Sequence, residues 1–365
     1  MIGSGIAGAG TAYQLVRRGA EVVVVDAAEP GTATAAGAGI VSPWTSRRTA
    51  AYELAAAAAA YYPEVVAQLT EDGCRDSSYE VVGGMVVSAD ETELRDVYTR
   101  TSARAARAPA AGEVRRLDPA QARELFPPLA PGLGAVHISG AGRVDGRQLR
   151  SALLGAATTR GVRLVEGRAA LQVTGDRVAG VVVPSEVIAA DAVVIAAGAW
   201  SADLLTPLGL RLDVAPQRGQ LSHLEVPGTD TTSWPVVLPF SSHYLLAFPG
   251  SRVVVGATRE ARSGFDYRVT AAGQRDVLDA ALSVAPGLET ATLLETRVGF
   301  RPASPDGSPL LGALAGHPEL VVAGGFGPVG LTLAPFAGHL IAALVVGDEA
   351  PFDIEAYRPD RFSAG

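Results

Sequence analysis

The stretch at residues 2–8, Ile-Gly-Ser-Gly-Ile-Ala-Gly, decides the fold because it joins a glycine turn to the start of a helix. An apolar helical pattern follows and stops at Gly19, and an apolar run at residues 22–25 then ends in Asp26. A turn, a helix and a buried strand in this order are typical of a Rossmann-type unit. The sequence therefore predicts an α/β protein that contains a parallel sheet.

The glycines of this turn have separate physical roles. Gly3 permits a tight turn, Gly5 lets the backbone approach a pyrophosphate, and Gly8 lets the helix pass close to a strand. Asp26 ends the next strand, where a carboxylate accepts hydrogen bonds from a ribose diol, which favours FAD or NAD over NADP. The alternative interpretation is an alanine- and glycine-rich turn followed by an incidental acid.

Composition excludes several other classes of protein. The formal net charge of −8 gives no broad positive field, so we expect no nucleic-acid partner. The sequence contains no lysine, which excludes Schiff-base and Walker-type lysine chemistry. Cys74 is the single cysteine, so neither an intrachain disulfide nor a cysteine-clustered metal site is expected, and no metal is predicted. This cysteine usage is compatible with a reducing cytoplasm, and a cytoplasmic protein is expected.

The most apolar late segment, residues 331–346, is interrupted by Pro335 and His339 and is short for a membrane span. We therefore expect a buried helix there. A chain of 365 residues also favours two closely packed domains over one.

Several further segments carry a family resemblance. They are residues 34–43 (TAAGAGIVSP), 142–145 (GRVD), 193–201 (VVIAAGAWS), 216–220 (PQRGQ), 299–302 (GFRP), 304–307 (SPDG) and 324–330 (GGFGPVG). Together with the glycine turn and Asp26, they resemble the D-amino-acid oxidase superfamily, in particular its glycine oxidase and bacterial D-amino-acid dehydrogenase branch. The resemblance covers nearly the whole chain.

This resemblance implies a Rossmann-like FAD-binding domain into which an α+β substrate domain with an antiparallel sheet is inserted. Residues 1–45, 141–211 and 297–365 are expected in the first domain, and residues 46–140 and 212–296 in the second. The family normally has a full strand before the glycine turn, whereas only two residues precede Gly3 here. We therefore expect that the natural chain starts a few residues upstream.

The resemblance also implies a non-covalent FAD, because Gly299 stands where members with a tethered flavin carry a cysteine. The loop from Thr34 would contact the phosphate or ribityl chain, and the turn at 324–330 would aim a helix N-terminus at the flavin's pyrimidine edge. The predicted cofactor-binding residues are Gly3, Gly5, Ile6, Ala7, Gly8, Asp26, Thr34, Gly37, Ala38, Gly39, Ile40, Ala197, Gly198, Trp200, Gly327, Pro328, Val329, Gly330, Leu331 and Thr332. For Trp200, a role in the core is the alternative.

Two residues match the substrate side of the family. Arg301 would bind a substrate carboxylate, for which a guanidinium fork is suited, and its alternative role is a structural salt bridge. Tyr244 would face the substrate, or else lie in the core among its apolar neighbours. His243 is either a polar strand residue or a catalytic one. Arg47 and Arg48 flank the pocket entrance or lie on a solvated surface.

The resemblance implies an enzyme that oxidises the C–N bond of glycine, a D-amino acid or an N-methyl amino acid. A hydride passes from the α-carbon to the flavin, and the imine is then hydrolysed. O2 or a membrane quinone would take the electrons. The alternatives are an amine oxidase of a dedicated biosynthetic pathway, a non-catalytic flavoprotein that lacks its first strand, and an NAD-binding protein.

Overall fold

The computed structural model describes residues 1–47 and 50–362. Its α-helices are α1 Ile6–Arg17, α2 Tyr52–Glu71, α3 Glu91–Ala105, α4 Pro119–Leu125, α5 Gly146–Thr159, α6 Ser201–Leu205, α7 Ala271–Val284 and α8 Gly330–Val346. Its strands are β1 Val23–Asp26, β2 Ile40–Val41, β3 Glu80–Val81, β4 Gly84–Ser88, β5 Val114–Leu117, β6 Gly134–Ile138, β7 Gly142–Arg143, β8 Arg163–Glu166, β9 Ala170–Thr174, β10 Arg177–Val183, β11 Glu186–Ala189, β12 Val193–Ile195, β13 Ala215–Glu225, β14 Val236–Pro239, β15 Tyr244–Phe248, β16 Arg252–Gly256, β17 Thr292–Ala303, β18 Leu310–Leu314 and β19 His317–Gly324.

The predicted parallel unit is built from β8, β1, β12, β19 and β18. The pairs β1–β8 and β12–β19 are parallel, and β18 joins β19 in the antiparallel direction. Ile2 lies between the two pairs, where it forms parallel bridges to Val25 of β1 and Ile195 of β12. Residues 1–2 thus occupy the central position that a full first strand takes in a doubly wound sheet. We call this set of strands the Rossmann sheet.

A second, eight-stranded sheet has the order β17-β13-β16-β15-β14-β4-β6-β5. Its pairs are antiparallel as predicted, except that β14 runs parallel to β4. The mixed helix and sheet architecture confirms the predicted fold class. The division into two domains remains a prediction, and β17 (Thr292–Ala303) passes through the boundary predicted between residues 296 and 297.

Helix α8 packs against α1 and α2 in the apolar core. A Cβ on Gly338 would lie 2.7 Å from the Gly10 carbonyl carbon, so α8 and α1 approach at backbone distance. Residues 327–346 are long and apolar enough to cross a membrane, but 67% of the tested window is buried inside the protein. The burial agrees with the core helix that the sequence predicts.

An ionic cluster joins α1, α2 and α5 at the carboxylate of Asp72. The carboxylate accepts hydrogen bonds from Arg160 Nε at 2.8 Å, Tyr13 Oη at 2.6 Å and Arg17 Nη1 at 3.0 Å. The hydrogen bonds from Arg160, followed by those from Tyr13 and Arg17, lower the pKa of Asp72 to about 2.

We expect the contribution of Asp72 to stability to be complete above about pH 4 and to disappear as pH falls towards 2, because the pKa of its carboxyl is depressed in the folded state. Urea unfolding at several pH values measures this for the wild type and Asp72→Asn. The difference in free energy of unfolding should shrink on acidification. Asp176→Asn, in an exposed turn, is the control, and a difference that is constant between pH 5 and pH 2.5 would contradict the prediction.

Candidate active site

A cavity of about 870 Å³ is lined by residues of both large sheets. All the residues predicted to contact cofactor or substrate line it, with the single exception of Gly8. The structure therefore brings together segments that lie as far apart in the sequence as Gly3 and Thr332. The glycine turn and Asp26 line the cavity from the Rossmann sheet, and Tyr244 and Arg301 line it from the eight-stranded sheet.

Close backbone packing explains the glycines of the N-terminal turn. Gly3 has a φ of +96°, and a Cβ there would lie 2.4 Å from the Ala196 carbonyl oxygen. Gly8 lies behind the turn and not in the cavity, since a Cβ on it would stand 1.9 Å from the Gly3 carbonyl oxygen. Its contribution is therefore the close packing of α1 against the turn.

The N-terminus of α1 suits an anionic phosphate. Its N-cap, Gly5, makes no side-chain capping bond, and the first turn of the helix contains no acidic residue. Unpaired N–H groups and the helix dipole at such a terminus attract negative charge. The Ile6 N–H donates to Thr34 Oγ1 at 2.9 Å, which ties the loop that begins at residue 34 to this terminus.

Asp26 is held in a fixed orientation at the end of β1. Its Oδ2 accepts hydrogen bonds from the Ser4 N–H at 2.5 Å and the Ser4 hydroxyl at 2.6 Å, and its Oδ1 accepts from the Ala28 N–H at 2.7 Å. The carboxylate still has acceptor capacity towards the cavity that it lines. This arrangement fits a ribose diol.

The loop at residues 34–40 is held in place by backbone contacts. Gly39 has a φ of +92°, and a Cβ there would lie 1.7 Å from the Val144 carbonyl oxygen. The Ala35 carbonyl accepts hydrogen bonds from Arg147 Nε at 3.1 Å and Arg297 Nη1 at 3.3 Å. The backbone of this loop therefore stays at the cavity wall.

Helix α8 presents a second N-terminus to the cavity, after the turn Gly327–Val329. Its N-cap, Val329, makes no side-chain capping bond. Pro335 has no N–H, so the Leu331 carbonyl has no donor four residues later. The Tyr62 hydroxyl donates to that carbonyl, and Thr332 Oγ1 donates to the Ile40 carbonyl at 2.8 Å. These two bonds fix the first turn of α8 against the loop at residues 34–40.

Arg301 on β17 and Tyr244 on β15 line the cavity from the eight-stranded sheet. Arg301 Nη1 donates to the Thr258 carbonyl at 3.0 Å, and its guanidinium lies over Gly219, where a Cβ would be only 2.5 Å from Nη2. Burial raises the pKa of Tyr244, and the positive charges of Arg301 and Arg259 act in the opposite direction. Tyr244 is therefore a neutral hydroxyl beside the guanidinium at neutral pH.

The sequence left two interpretations open for each of Trp200, His243, Arg47 and Arg48, and the structure gives the positions of the first three. Trp200 lines the cavity and stacks on Phe265, with ring centroids 4.9 Å apart. His243 lines the cavity just before β15, and its Nε2 lies 3.5 Å from Asp276 Oδ2. Arg47 also lines the cavity and donates to the Phe240 carbonyl at 3.0 Å, whereas Arg48 lies outside the described residues.

Sequence reasoning missed three arginines that line the cavity: Arg100, Arg168 and Arg259. None of them belongs to a recognisable motif. Arg259 follows Thr258, whose carbonyl binds Arg301, and Arg100 lies on α3. A signal was available for Gly219, which lines the cavity beside Arg301 and belongs to the segment PQRGQ.

Comparison with known proteins agrees with this geometry. The family model for FAD-dependent oxidoreductases (DAO) matches residues 1–344. An uncharacterised oxidoreductase, YurR, of Bacillus subtilis is 45% identical over 362 residues, which cover 98% of this chain and 97% of the relative. Glycine oxidase of Geobacillus kaustophilus is 32% identical and covers 98% of this chain and 95% of its own. The crystal structure of iminodiacetate oxidase (IdaA) from Chelativorans sp. BNC1 is 47% identical, with a TM-score of 0.95 and 98% of both chains covered.

The cavity thus joins two helix N-termini whose N-cap residues make no side-chain capping bond, a glycine turn and a fixed carboxylate to an arginine and a buried tyrosine. The cofactor is non-covalent FAD: the single cysteine, Cys74, does not line the cavity, and Gly299 does. The chain therefore belongs to the DAO family of FAD-dependent oxidoreductases.

Proposed function

We propose that this enzyme oxidises the C–N bond of a small amino acid: glycine, a D-amino acid or an N-substituted glycine. The observation that carries the proposal is the pair Arg301 and Tyr244, which lies in the same cavity as the FAD-type glycine turn. Glycine oxidases and an iminodiacetate oxidase among its relatives support an amino acid that contains a glycine unit.

The bound flavin supplies the acceptor for the hydride that leaves the α-carbon. The protein's residues position the reactants. Gly3, Gly5 and Thr34 would hold the pyrophosphate, and Asp26 the adenosine ribose. The first turn of α8 would place its N–H groups and positive dipole end near the flavin edge that gains negative charge.

Arg301 would hold the substrate carboxylate through two parallel N–H donors. This contact fixes the orientation of the carboxylate and offsets its negative charge. Tyr244, protonated because its burial raises its pKa, would donate to the same carboxylate. Holding the carboxylate on one side leaves the Cα–H bond free to point towards the flavin. The contribution of the protein to the rate is therefore mainly one of orientation.

The test is anaerobic addition of glycine, sarcosine, D-alanine and D-proline to the purified holoprotein, with the visible flavin absorption band as the readout. Bleaching by one of them supports the proposal. A flavin band that none of them bleaches overturns the small-amino-acid substrate, and a folded protein without the band favours the non-catalytic alternative.

Admitting air after reduction identifies the electron acceptor. Rapid return of the band supports O2, and a slow return that a soluble quinone accelerates supports a dehydrogenase. A cytoplasmic location remains a prediction from the cysteine usage.

A further inference from the structure

We propose that Thr258 and Glu260, which lie behind the cavity wall, are positioning residues for Arg301. The Thr258 hydroxyl, fixed by Glu260, takes the place of a backbone carbonyl in the pairing with β13, and the carbonyl that is released holds the guanidinium. This inference rests on the proposed function, in which Arg301 binds the substrate carboxylate, and it assigns the residues that place this arginine.

Residues 258–260 continue the antiparallel pairing of β16 with β13. The Arg218 and Glu260 backbones exchange two hydrogen bonds at 3.0 Å, as a hydrogen-bonded pair in an antiparallel ladder does. The next such pair is Gln220 and Thr258, and the Thr258 N–H donates to the Gln220 carbonyl at 3.1 Å. A regular ladder would be completed by a return bond from the Gln220 N–H to the Thr258 carbonyl.

This return bond goes to a side chain instead of the carbonyl. The Gln220 N–H donates to Thr258 Oγ1 at 3.0 Å. The Thr258 carbonyl is thereby left for Arg301, whose Nη1 donates to it at 3.0 Å. Hydrogen bonds from a charged donor are roughly twice as strong as those between neutral groups. The exchange of acceptors at Thr258 therefore supplies a firm backbone anchor for the guanidinium.

Glu260 fixes the direction of the Thr258 hydroxyl. Its Oε1 accepts hydrogen bonds from Thr258 Oγ1 at 2.7 Å and Gln220 Nε2 at 2.8 Å, and its Oε2 accepts from Arg218 Nε at 3.0 Å. Because the hydroxyl donates its one hydrogen to the carboxylate, its lone pairs remain for the Gln220 N–H. Burial raises the pKa of Glu260, but the hydrogen bonds from Arg218, Gln220 and Thr258 outweigh it and hold the pKa below its ordinary value. The carboxylate is therefore ionised at neutral pH.

The two faces of this part of the sheet have different tasks. Thr258 and Glu260 meet Gln220 on the face away from the cavity, which none of these three residues lines. Gly219 lies on the other face and lines the cavity, since side chains alternate along a strand. Arg301 extends from β17 across β13 at Gly219, where a Cβ would stand 2.6 Å from its Cζ. Backbone groups on the cavity face thus hold the guanidinium, and side chains on the far face hold those backbone groups.

The Thr258 carbonyl is one of several partners of Arg301. The guanidinium also bonds to the Tyr244 hydroxyl and, at 3.4 Å, to the Arg218 carbonyl. Loss of the Thr258 bond would therefore loosen the guanidinium without removing it from the cavity. We expect weaker binding of a carboxylate in a protein that still folds and keeps its FAD.

The test removes the hydroxyl and measures the binding of a carboxylate. Thr258→Val keeps the shape of the side chain, and the Gln220 N–H can then pair with the Thr258 carbonyl in competition with Arg301. The ligand is methylthioacetate, which has the shape of sarcosine with sulfur in place of nitrogen. Its Kd is measured from the perturbed flavin spectrum of the oxidised holoprotein. We expect the Kd to rise roughly tenfold, the lower end of the effect of one hydrogen bond to a charged group.

Two variants are the controls for this change. Thr258→Ser retains the hydroxyl and should bind methylthioacetate within about twofold of wild type. Thr296→Val makes the same substitution on β17, where the hydroxyl bonds to the Gln274 and Ser222 side chains, and should leave the Kd unchanged. Thr258→Cys replaces the valine variant if the latter does not retain FAD, because a thiol is a weak donor and a weak acceptor.

Double-mutant cycles separate the positioning of Arg301 from a general effect on structure. When Arg301→Met is already present, Thr258→Val should change the Kd less than about twofold, because the group that it positions is absent. An effect of equal size in both backgrounds would refute the inference.

A second cycle tests Glu260. Glu260→Gln should raise the Kd in the wild-type background and not in Thr258→Val, because Glu260 acts through the hydroxyl. Glu186→Gln, which removes the same charge from an exposed pair with Arg163, is the control. If Glu260→Gln has its full effect in Thr258→Val, Glu260 does not act through Thr258.

The outcomes separate this inference from the proposed function. If an amino acid reduces the flavin but Thr258→Val binds methylthioacetate as tightly as wild type, the positioning role is refuted and the proposed function stands. If no amino acid reduces the flavin while the Kd of methylthioacetate depends on both Thr258 and Arg301, the positioning role stands and the proposed oxidation fails.

Discussion

Arg301→Met is expected to lower kcat/KM for the best amino acid by roughly 1000-fold while FAD remains bound. A buried charge pair that loses one partner costs about 2–5 kcal/mol, and the substrate carboxylate would lose its guanidinium here. Arg301→Lys should recover part of the loss, because an ammonium keeps the charge but not the two parallel donors. Stopped-flow reduction of the flavin measures both variants, and equal flavin content is the control for intact folding.

Gly219→Ala tests the same arginine without altering it. The new Cβ would stand 2.5 Å from Arg301 Nη2, so the guanidinium must move from its position over β13. We expect KM to rise and the flavin spectrum of the oxidised protein to stay unchanged. Gly155→Ala, in α5 with nothing within 4 Å of the added Cβ, is the matched control. If the flavin of Arg301→Met is reduced at the wild-type rate, Arg301 does not bind the substrate.

The second large effect is expected for Gly8→Ala, which should leave a protein that retains less than about a tenth of its FAD. A methyl group 1.9 Å from the Gly3 carbonyl oxygen cannot be accommodated unless α1 or the turn moves. Either movement displaces the helix N-terminus that faces the phosphates, and overpacking of this kind costs about 1–3 kcal/mol of stability. The ratio of flavin absorbance to protein absorbance after gel filtration measures the loss.

Gly10→Ala is the control for this change, because it adds the same methyl group one half-turn further along α1. Its nearest neighbour would be the Ala334 carbonyl oxygen at 3.5 Å, an ordinary contact. Alanine is also a better helix former than glycine by about 1 kcal/mol, so this variant should keep its FAD and unfold at the same or a higher temperature. Full FAD content in Gly8→Ala would show that the close approach at Gly3 is not needed.

Sequence patterns were sufficient to predict the segments in which consecutive residues form one part of the cavity wall. The turn at Gly3 and Gly8, the loop at Gly39 and the start of α8 at Gly330 each depend on backbone geometry, which restricts the residue type at fixed spacing. Those segments were therefore visible in the sequence, and the structure places them around one cavity.

Arg259 shows where sequence reasoning ends. Its exposure to the cavity depends on the pairing of its segment with β13, which lies about forty residues earlier in the chain. The parallel pairing of β14 with β4, which are separated by more than a hundred residues, was likewise not visible. Long-range partners of this kind are selected by tertiary packing and leave no local pattern.

The hydrogen bond between Tyr62 and the Leu331 carbonyl has a mechanical consequence. Helix α8 lacks one backbone hydrogen bond in its first turn, because Pro335 cannot donate to the Leu331 carbonyl. The Tyr62 side chain of α2 donates to this carbonyl instead. The direction in which the first turn of α8 points therefore depends on the contact between α2 and α8, together with the bond from Thr332 to the Ile40 carbonyl. Tyr62, which does not line the cavity, therefore helps to orient the helix end that does.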